Sequence, residues 1–472
     1  MLVEAALMSV PFFIAICLSE NTVFAFGITL AALIALGIPL VIKKPKELWI
    51  KPKEGFVTVA LGWLIMSLFG AIPFIVSGAI PNFIDAFFEA VSGFTTTGAT
   101  VIGDIQALPK SILFWRAFTQ WIGGMGVLVF VIAVLPKSDT KFFHMFRAES
   151  PGPQVGKLVS KLKHTALILY AIYVAMTILQ IILLSIKMPF FESVLYALAT
   201  ASTGGFSNMN LSVAAFDSKY IDTVITVFMI LFSINFNIFF LILLGKFKDV
   251  VKSEELKVFL TIIIVAIGAI TASLLINRVY QSFGEALRFS AFQAASMVST
   301  TGFVAADYTK WPTAAQFLLL LLMFIGGSAG STAGGLKVSR VIILFKSGVR
   351  EIKSTRSPRS VNTIRLDGKP LDYIVTHGTM RYFVLYLLIL CGSVLLVSLS
   401  NPGFGSESML ADLTAAVSCL NNVGPYFGAL GAAGNFSSYG AFSKLVFVLD
   451  MLFGRLEIFP MLLLFYPKTW KM

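Results

Sequence analysis

Ser92-Gly93-Phe94-Thr95-Thr96-Thr97-Gly98-Ala99-Thr100 reads as the end of a short apolar helix that runs into a hydroxyl-rich turn closing on glycine. The arrangement recurs at Thr200-Ala201-Ser202-Thr203-Gly204-Gly205-Phe206, Val298-Ser299-Thr300-Thr301-Gly302-Phe303 and Leu420-Asn421-Asn422-Val423-Gly424-Pro425-Tyr426. Gly98, Gly204, Gly302 and Gly424 follow one another roughly 100–120 residues apart, a period long enough for a repeated module. One glycine after an apolar run is an ordinary helix end. Four at matched places, each between two long apolar segments, define a fold.

Outward from the turns, the long segments lie at 56–79 and 111–135, 165–187 and 220–245, 257–277 and 313–347, and 380–400 and 441–466. About 20 apolar residues are needed to span roughly 30 Å of hydrocarbon. Two more apolar segments, 5–19 and 23–42, precede the first quarter. Glu4 stands where a cleavable signal would be basic, and the second run comes at once, so the pair reads as a retained helical hairpin. The expected fold class is an all-α membrane protein with fourfold pseudo-symmetry. A two-helix hairpin (1–45) precedes four pore repeats, 55–136, 164–247, 256–348 and 378–467, the third with a broken second helix. The short helices before the turns are expected to start near Asp85, Glu192, Ser290 and Asp412, residues suited to capping helix N-termini.

The composition agrees with a membrane class. Of 472 residues, 57% are hydrophobic and 13% charged, against about a quarter charged in soluble domains. The net charge of +12 does not indicate a nucleic-acid partner, because the basic residues sit in the short loops 43–54, 136–164, 246–257 and 337–370. The loops that hold the glycine turns carry few. This asymmetry places the turns toward the outside and both termini in the cytoplasm. Cys17, Cys391 and Cys419 imply no disulfide framework, and His144, His164 and His377 have no metal-ligand spacing.

The turns themselves carry chemistry. A helix C-terminus bears roughly half a negative charge, so four such ends meeting on an axis would stabilise a cation. Non-helical backbone at membrane depth survives only when buried in protein or lining water. Inward-facing carbonyls satisfy that condition and can replace an ion's hydration shell. Aligning them needs a residue tolerant of positive φ, hence glycine. The candidate K+ ligands are Thr96, Thr97 and Gly98; Ser202, Thr203 and Gly204; Thr300, Thr301 and Gly302; and Asn422, Val423 and Gly424. Oxygen ligands suit an alkali ion, and the absence of carboxylates within the turns disfavours a divalent-cation filter. No organic cofactor is expected on this chain.

On these residues the sequence resembles the Trk/Ktr/HKT superfamily of potassium transporters, over nearly the whole chain. The most specific stretches are Ser92–Thr100, Gly326–Lys337 and Gly454-Arg455-Leu456-Glu457. The resemblance implies potassium uptake across the bacterial cytoplasmic (inner) membrane by a homodimer in which each subunit has its own pore. It also implies a cytosolic nucleotide-binding regulator of the TrkA type, built from RCK domains. The fourth turn departs from the pattern, since Asn422 and Val423 replace Thr. Some relatives carry Ser at the first filter glycine and pass sodium, so Gly98 points to potassium.

A second candidate element is the run Gly326, Gly327, Ser328, Ala329, Gly330, Ser331, Thr332, Ala333, Gly334 and Gly335. Each glycine costs a helix about 1 kcal/mol against Ala, so a mid-membrane loop is expected below the filter. Close helix packing through small residues is the competing reading; a nucleotide P-loop fails because Leu336 stands where the Lys belongs. Arg455, expected near the middle of the last helix, is costly there. It either pairs with Glu457 or donates to carbonyls of the Gly326–Gly335 loop, and the second is preferred because residues two apart on a helix face apart. Loop and arginine together would form a gate. Asn235 and Asn237, also expected mid-helix, either line the cavity or bond to neighbouring helices. Lys337 and Arg340 are expected to snorkel to the cytoplasmic surface, and Trp115 and Trp121 to face lipid or interface. A coupled secondary transporter is the rival function. A membrane-embedded enzyme is more distant, because the cavity offers no cluster of acid, base or nucleophile.

Overall fold

A computed structural model describes residues 1–42, 52–126, 162–357, 363–400, 406–428, 432 and 434–470. The hairpin is α1 (Leu2–Cys17) and α2 (Val23–Ile42). Quarter one contains α3 (Pro52–Val76), α4 (Phe83–Phe94) and α5 (Lys110–Gly124). Quarter two contains α6 (Leu162–Leu184), α7 (Phe190–Ala201), α8 (Lys219–Phe232) and α9 (Phe236–Leu243), with α10 (Phe247–Lys252) leading out of it. Quarter three contains α11 (Glu254–Ile276), α12 (Phe283–Val298), α13 (Thr313–Ile325) and α14 (Val338–Arg356). A two-residue hairpin, Arg365–Leu366 with Lys369–Pro370, leads to quarter four: α15 (Tyr373–Ser400), α16 (Ser406–Asn421), α17 (Ala441–Arg455) and α18 (Phe459–Phe465).

Proline punctuates this order: Pro109, Pro189 and Pro312 stand immediately before α5, α7 and α13, where the missing N–H costs nothing. Asn82 caps α4 by accepting from Ile84 N at 2.8 Å. The short helices of quarters three and four begin earlier than expected, at Phe283 and Ser406. Ser290 is therefore a buried mid-helix residue rather than a cap.

The quarters close into a ring. The closing helix of each packs on the pore helix of the next: α5 on α7, α8 on α12, α13 on α16, and α17 back on α4. Large apolar side chains such as Phe24, Ile264 and Leu388 face outward, as they do in hydrocarbon. Trp115, expected among them, is instead fully buried and donates from Nε1 to Gly70 O at 3.1 Å.

Five helices among the described residues are long and apolar enough to cross a membrane, or six with the bent pair α8–α9. Of the ten expected spans, one of them broken, fewer are continuous: α1 has only 16 residues, and the closing helices stop short. Helices α5, α8, α13 and α17 stop after 15, 14, 13 and 15 residues. The expectation of one broken helix, in quarter three, understates this: α8 and α9 meet at 90°. The last helix, expected unbroken over 441–466, breaks after Arg455, where Glu457 and Ile458 have φ of 59° and 63°. Residues 127–136, the remainder of the expected first repeat, lie outside the described residues.

Candidate functional site: four turns, a loop and an arginine

Each pore helix ends in the same hydrogen-bonded turn. Thr97 N donates to Ser92 O, Gly204 N to Ala199 O, Thr301 N to Ser296 O and Val423 N to Ser418 O, at 2.9, 2.9, 3.0 and 2.9 Å. The residue before each of these is left-handed: Thr96, Thr203, Thr300 and Asn422 have φ of 57°, 53°, 55° and 55°. The residue after is a glycine at positive φ, namely Gly98 (80°), Gly205 (75°), Gly302 (77°) and Gly424 (102°). This fixes the register. In the second turn the left-handed glycine is Gly205, one residue beyond the expected Gly204, and Gly204 occupies the place of Thr97. Ser202 accordingly matches Thr95, not Thr96.

The glycines are required by contact as well as by φ. A Cβ on Gly98 would lie under 3.0 Å from the carbonyl oxygen of Gly204, one on Gly205 from that of Thr301, one on Gly302 from that of Val423, and one on Gly424 from that of Thr97. Turn one touches turn two, two touches three, three touches four, and four touches one. The turns make a closed ring with no room for a methyl group at any seam.

Most carbonyls of the ring have no protein donor among the described residues. The oxygen of Gly204 accepts from Gln120 Nε2 at 2.7 Å. Among the described residues no protein donor reaches the carbonyls of Thr96, Thr97, Gly98, Thr203, Gly205, Thr300, Thr301, Gly302, Asn422, Val423 or Gly424. Buried carbonyls are normally paired, so this row of acceptors, at four helix C-termini, can serve as oxygen ligands for a cation. The hydroxyls mostly brace the turns. Thr95 Oγ1 bonds Thr97 Oγ1 at 2.8 Å, and Ser299 Oγ bonds Thr301 Oγ1 at 2.7 Å. In the fourth turn Asn422 supplies the brace from its amide, donating to Thr97 Oγ1 and Met451 O at 2.9 Å each.

Below the ring, residues 326–335 leave helical structure and are held from quarters two, three and four. Gly334 N donates to Thr300 Oγ1 at 2.6 Å and Gly335 N to Asn421 O at 3.1 Å, both at the filter turns. Ser328 N donates to Ser233 O at 2.9 Å, and Phe236 N to Gly330 O at 3.1 Å, both at the α8–α9 break. Asn235, expected mid-helix, instead caps α9 by accepting from Asn237 N at 3.0 Å. Ala329 N donates to Glu255 Oε1 at 2.7 Å.

Arg455 reaches the loop from the fourth quarter. Its guanidinium donates to Thr332 O at 3.1 Å and to Gly124 O at 2.6 Å, and also to Gly123 O at the end of α5. Nη1 lies 3.4 Å from Thr96 Oγ1, so the arginine also touches the first filter turn. Glu457 bonds Arg340 at 2.5 Å. Because the helix ends at Arg455, the helical spacing argued from the sequence does not apply to Glu457. Lys337 and Arg340 do not snorkel: both are buried, Lys337 donating to Ala333 O and Arg340 stacking 3.9 Å over Tyr382.

Several site residues escaped the sequence reading. Gln120 clamps the second turn, also accepting from Phe206 N at 3.0 Å. Glu89 and Arg116 form a fully buried ion pair at 2.8 Å behind the first turn, and Arg116 also donates to Ser207 O at 3.1 Å. An Arg and a Glu inside otherwise apolar segments were the available signal. Glu255 gave none, because at the start of α11 it looks like a helix-dipole residue.

Three comparisons fit this architecture. The family profile described as TrkH, cation transport protein, matches residues 22–472. The chain is 36% identical over 470 residues to the Trk system potassium uptake protein TrkH of Salmonella typhimurium, covering 98% of this chain and 96% of that one. It is 32% identical over 466 residues to the Trk system potassium uptake protein TrkG of Escherichia coli K12, covering 98% and 94%. The crystal structure of the potassium transporter TrkH from Vibrio parahaemolyticus superposes with a TM-score of 0.88 at 32% identity, covering 99% of this chain and 97% of that one. Proteins so named are transporter subunits, not enzymes. With sequence, profile and fold agreeing over nearly its whole length, the chain belongs to the TrkH family of cation transport proteins.

Proposed function

We propose that the chain is the membrane subunit of a potassium-uptake system, passing K+ along the axis of the four turns. The observation that carries this reading is the closed ring of carbonyls, all but that of Gly204 without a protein donor among the described residues. A dehydrated K+ needs several oxygen ligands at once, which such a ring can supply. The helix C-termini behind the turns favour a cation over an anion. The relatives' names, which specify potassium uptake, support the choice of ion.

The loop at 326–335, held by Arg455, closes the path below the filter, and displacing it opens the pore. The arginine's positive charge under the ring adds an electrostatic barrier to a descending cation. The subunit sits in the cytoplasmic membrane with both termini inside, works as a homodimer, and answers to a cytosolic nucleotide-binding subunit that moves the loop.

Rubidium uptake into liposomes holding the purified chain tests the central claim. Saturable 86Rb+ entry that is blocked by K+ and weakly affected by Na+ is expected. Organic-solute flux without cation flux would overturn it, and Rb+ entry that strictly requires a proton or sodium gradient would favour the ion-coupled transporter instead.

A further inference from the structure

Between the N-terminal hairpin and α3 lies a half-open crevice of about 380 Å3, within the size of small-ligand sites. Its walls are largely apolar; besides Thr58 and the Met1 amine they carry two buried polar groups. Glu4 is 4% exposed, and neither carboxylate oxygen has a hydrogen-bond partner. Trp63 is 2% exposed, and its Nε1 has none either. Both line the crevice. A buried carboxylate without a hydrogen bond is costly even with the Met1 ammonium near it, and the indole N–H in the same crevice leaves a donor unmatched as well. At the rim, Leu40, Val41 and Ile65 are 68%, 62% and 41% exposed, so the crevice opens along an apolar, lipid-facing surface.

We propose that this crevice binds a phospholipid with a primary-ammonium headgroup. The ammonium would donate to Glu4, a phosphate oxygen would accept from Trp63 Nε1, and the acyl chains would leave past Leu40, Val41 and Ile65. One ligand class thus satisfies both orphaned groups and the apolar exit. A quaternary-ammonium lipid has no N–H to donate, and an anionic glycerol headgroup would be repelled by the carboxylate. The site touches the ion path: the Trp63 ring that forms its inner wall lies 5.9 Å from the Arg455 guanidinium. The assignment does not depend on how ions move.

Native mass spectrometry of the full chain, equilibrated in mixed micelles with phosphatidylethanolamine, phosphatidylcholine or phosphatidylglycerol, tests it. Preferential retention of phosphatidylethanolamine is expected, falling about tenfold in Glu4→Gln, which keeps the shape and loses the charge, and about threefold in Trp63→Phe. Gly62→Leu provides a check that does not touch either polar group, since a Cβ at Gly62 meets open space within the crevice; it should abolish the retention by filling the site. Equal retention of the three lipids, or a preference unchanged in Glu4→Gln and Gly62→Leu, overturns the proposal and leaves a crevice occupied by water only.

Discussion

At Gly98, Gly205, Gly302 and Gly424 two requirements coincide, a positive φ and a neighbouring carbonyl where a Cβ would sit. A side chain there is strained by the backbone and blocked by the adjacent turn, so the ring must open or skew. Gly98→Ser should therefore weaken K+ over Na+ discrimination, read as a shift of reversal potential in mixed salts; an unchanged reversal potential would remove the turns from the selectivity step. The register gives a sharper comparison. A Cβ on Gly204 meets only the Gln120 side chain, whereas one on Gly205 meets the backbone of turn three. Gly205→Ala should thus damage selectivity more than Gly204→Ala, and the opposite order would refute the register. Sequence could not settle this choice, because the pair Gly204-Gly205 offers two glycines and only contact across the seam distinguishes them. Arg455 is the other decisive residue. Removing it deletes charge-assisted bonds worth about 1.5–3 kcal/mol each, so Arg455→Ala should raise basal Rb+ uptake roughly tenfold or more in a protein that still assembles. Because Nη1 also lies against Thr96 Oγ1, a small loss of selectivity should accompany the gain. Normal assembly without increased uptake would make the arginine structural.

Among the elements, the closing helices show where sequence reading succeeds and where it stops. The break in quarter three was legible because ten consecutive small residues make helix there costly. The others were not. Gly123 and Gly124 cost a helix only about 2 kcal/mol together, which packing commonly overrides. At α8–α9 the break rests on the polar Ser233 and Asn235, whose capping role appears only once the loop is in place. At Glu457 and Ile458 the chain adopts positive φ without glycine, a strain no propensity scale anticipates. The Arg340–Glu457 bond and the enclosed Ile458 side chain hold it there. The loop is held opposite Arg455 by Glu255, which accepts from Ala329 N. Replacing this carboxylate by an amide removes the charge that strengthens that bond. Glu255→Gln should therefore raise basal uptake several-fold while leaving the K+/Na+ ratio unchanged, because this side chain does not contact the ring. Glu255→Asp should restore part of the restraint. A selectivity change without a rate change would contradict the assignment.

At the scale of the molecule, the proposed gating makes α14 the element to watch. It continues directly from the loop in the chain, so any shift of its first turn pulls on Gly335 and Gly334. It has a second hold through Lys346, which pairs with Glu254 and donates to Arg365 O at 2.8 Å, while Glu254 N donates to Asp367 Oδ1 at 2.7 Å. Glu254 is the neighbour of the clamp residue Glu255, so both ends of the loop's restraint converge on one unit. That unit carries Arg350, Lys353, Arg356 and Arg365, and presents Phe345 and Ile352, each 73% exposed and seven residues apart on one helix face; Arg359 lies outside the described residues. The excess of basic residues was legible as topology, but the apolar stripe beside them was not, because in a chain this apolar two such residues attract no notice. Topology explains the charges alone; charges flanking an exposed apolar stripe are the composition of a protein interface. Under the proposed function, the triple variant Arg350→Glu, Arg356→Glu, Arg365→Glu should abolish co-elution with a cytosolic nucleotide-binding subunit on a sizing column, while the isolated subunit keeps its basal Rb+ uptake. Phe345→Ser with Ile352→Ser should weaken the complex without altering net charge, which separates docking from attraction to anionic lipid. If both variants retain the complex at wild-type strength, the regulator binds elsewhere and the loop must be moved by another route.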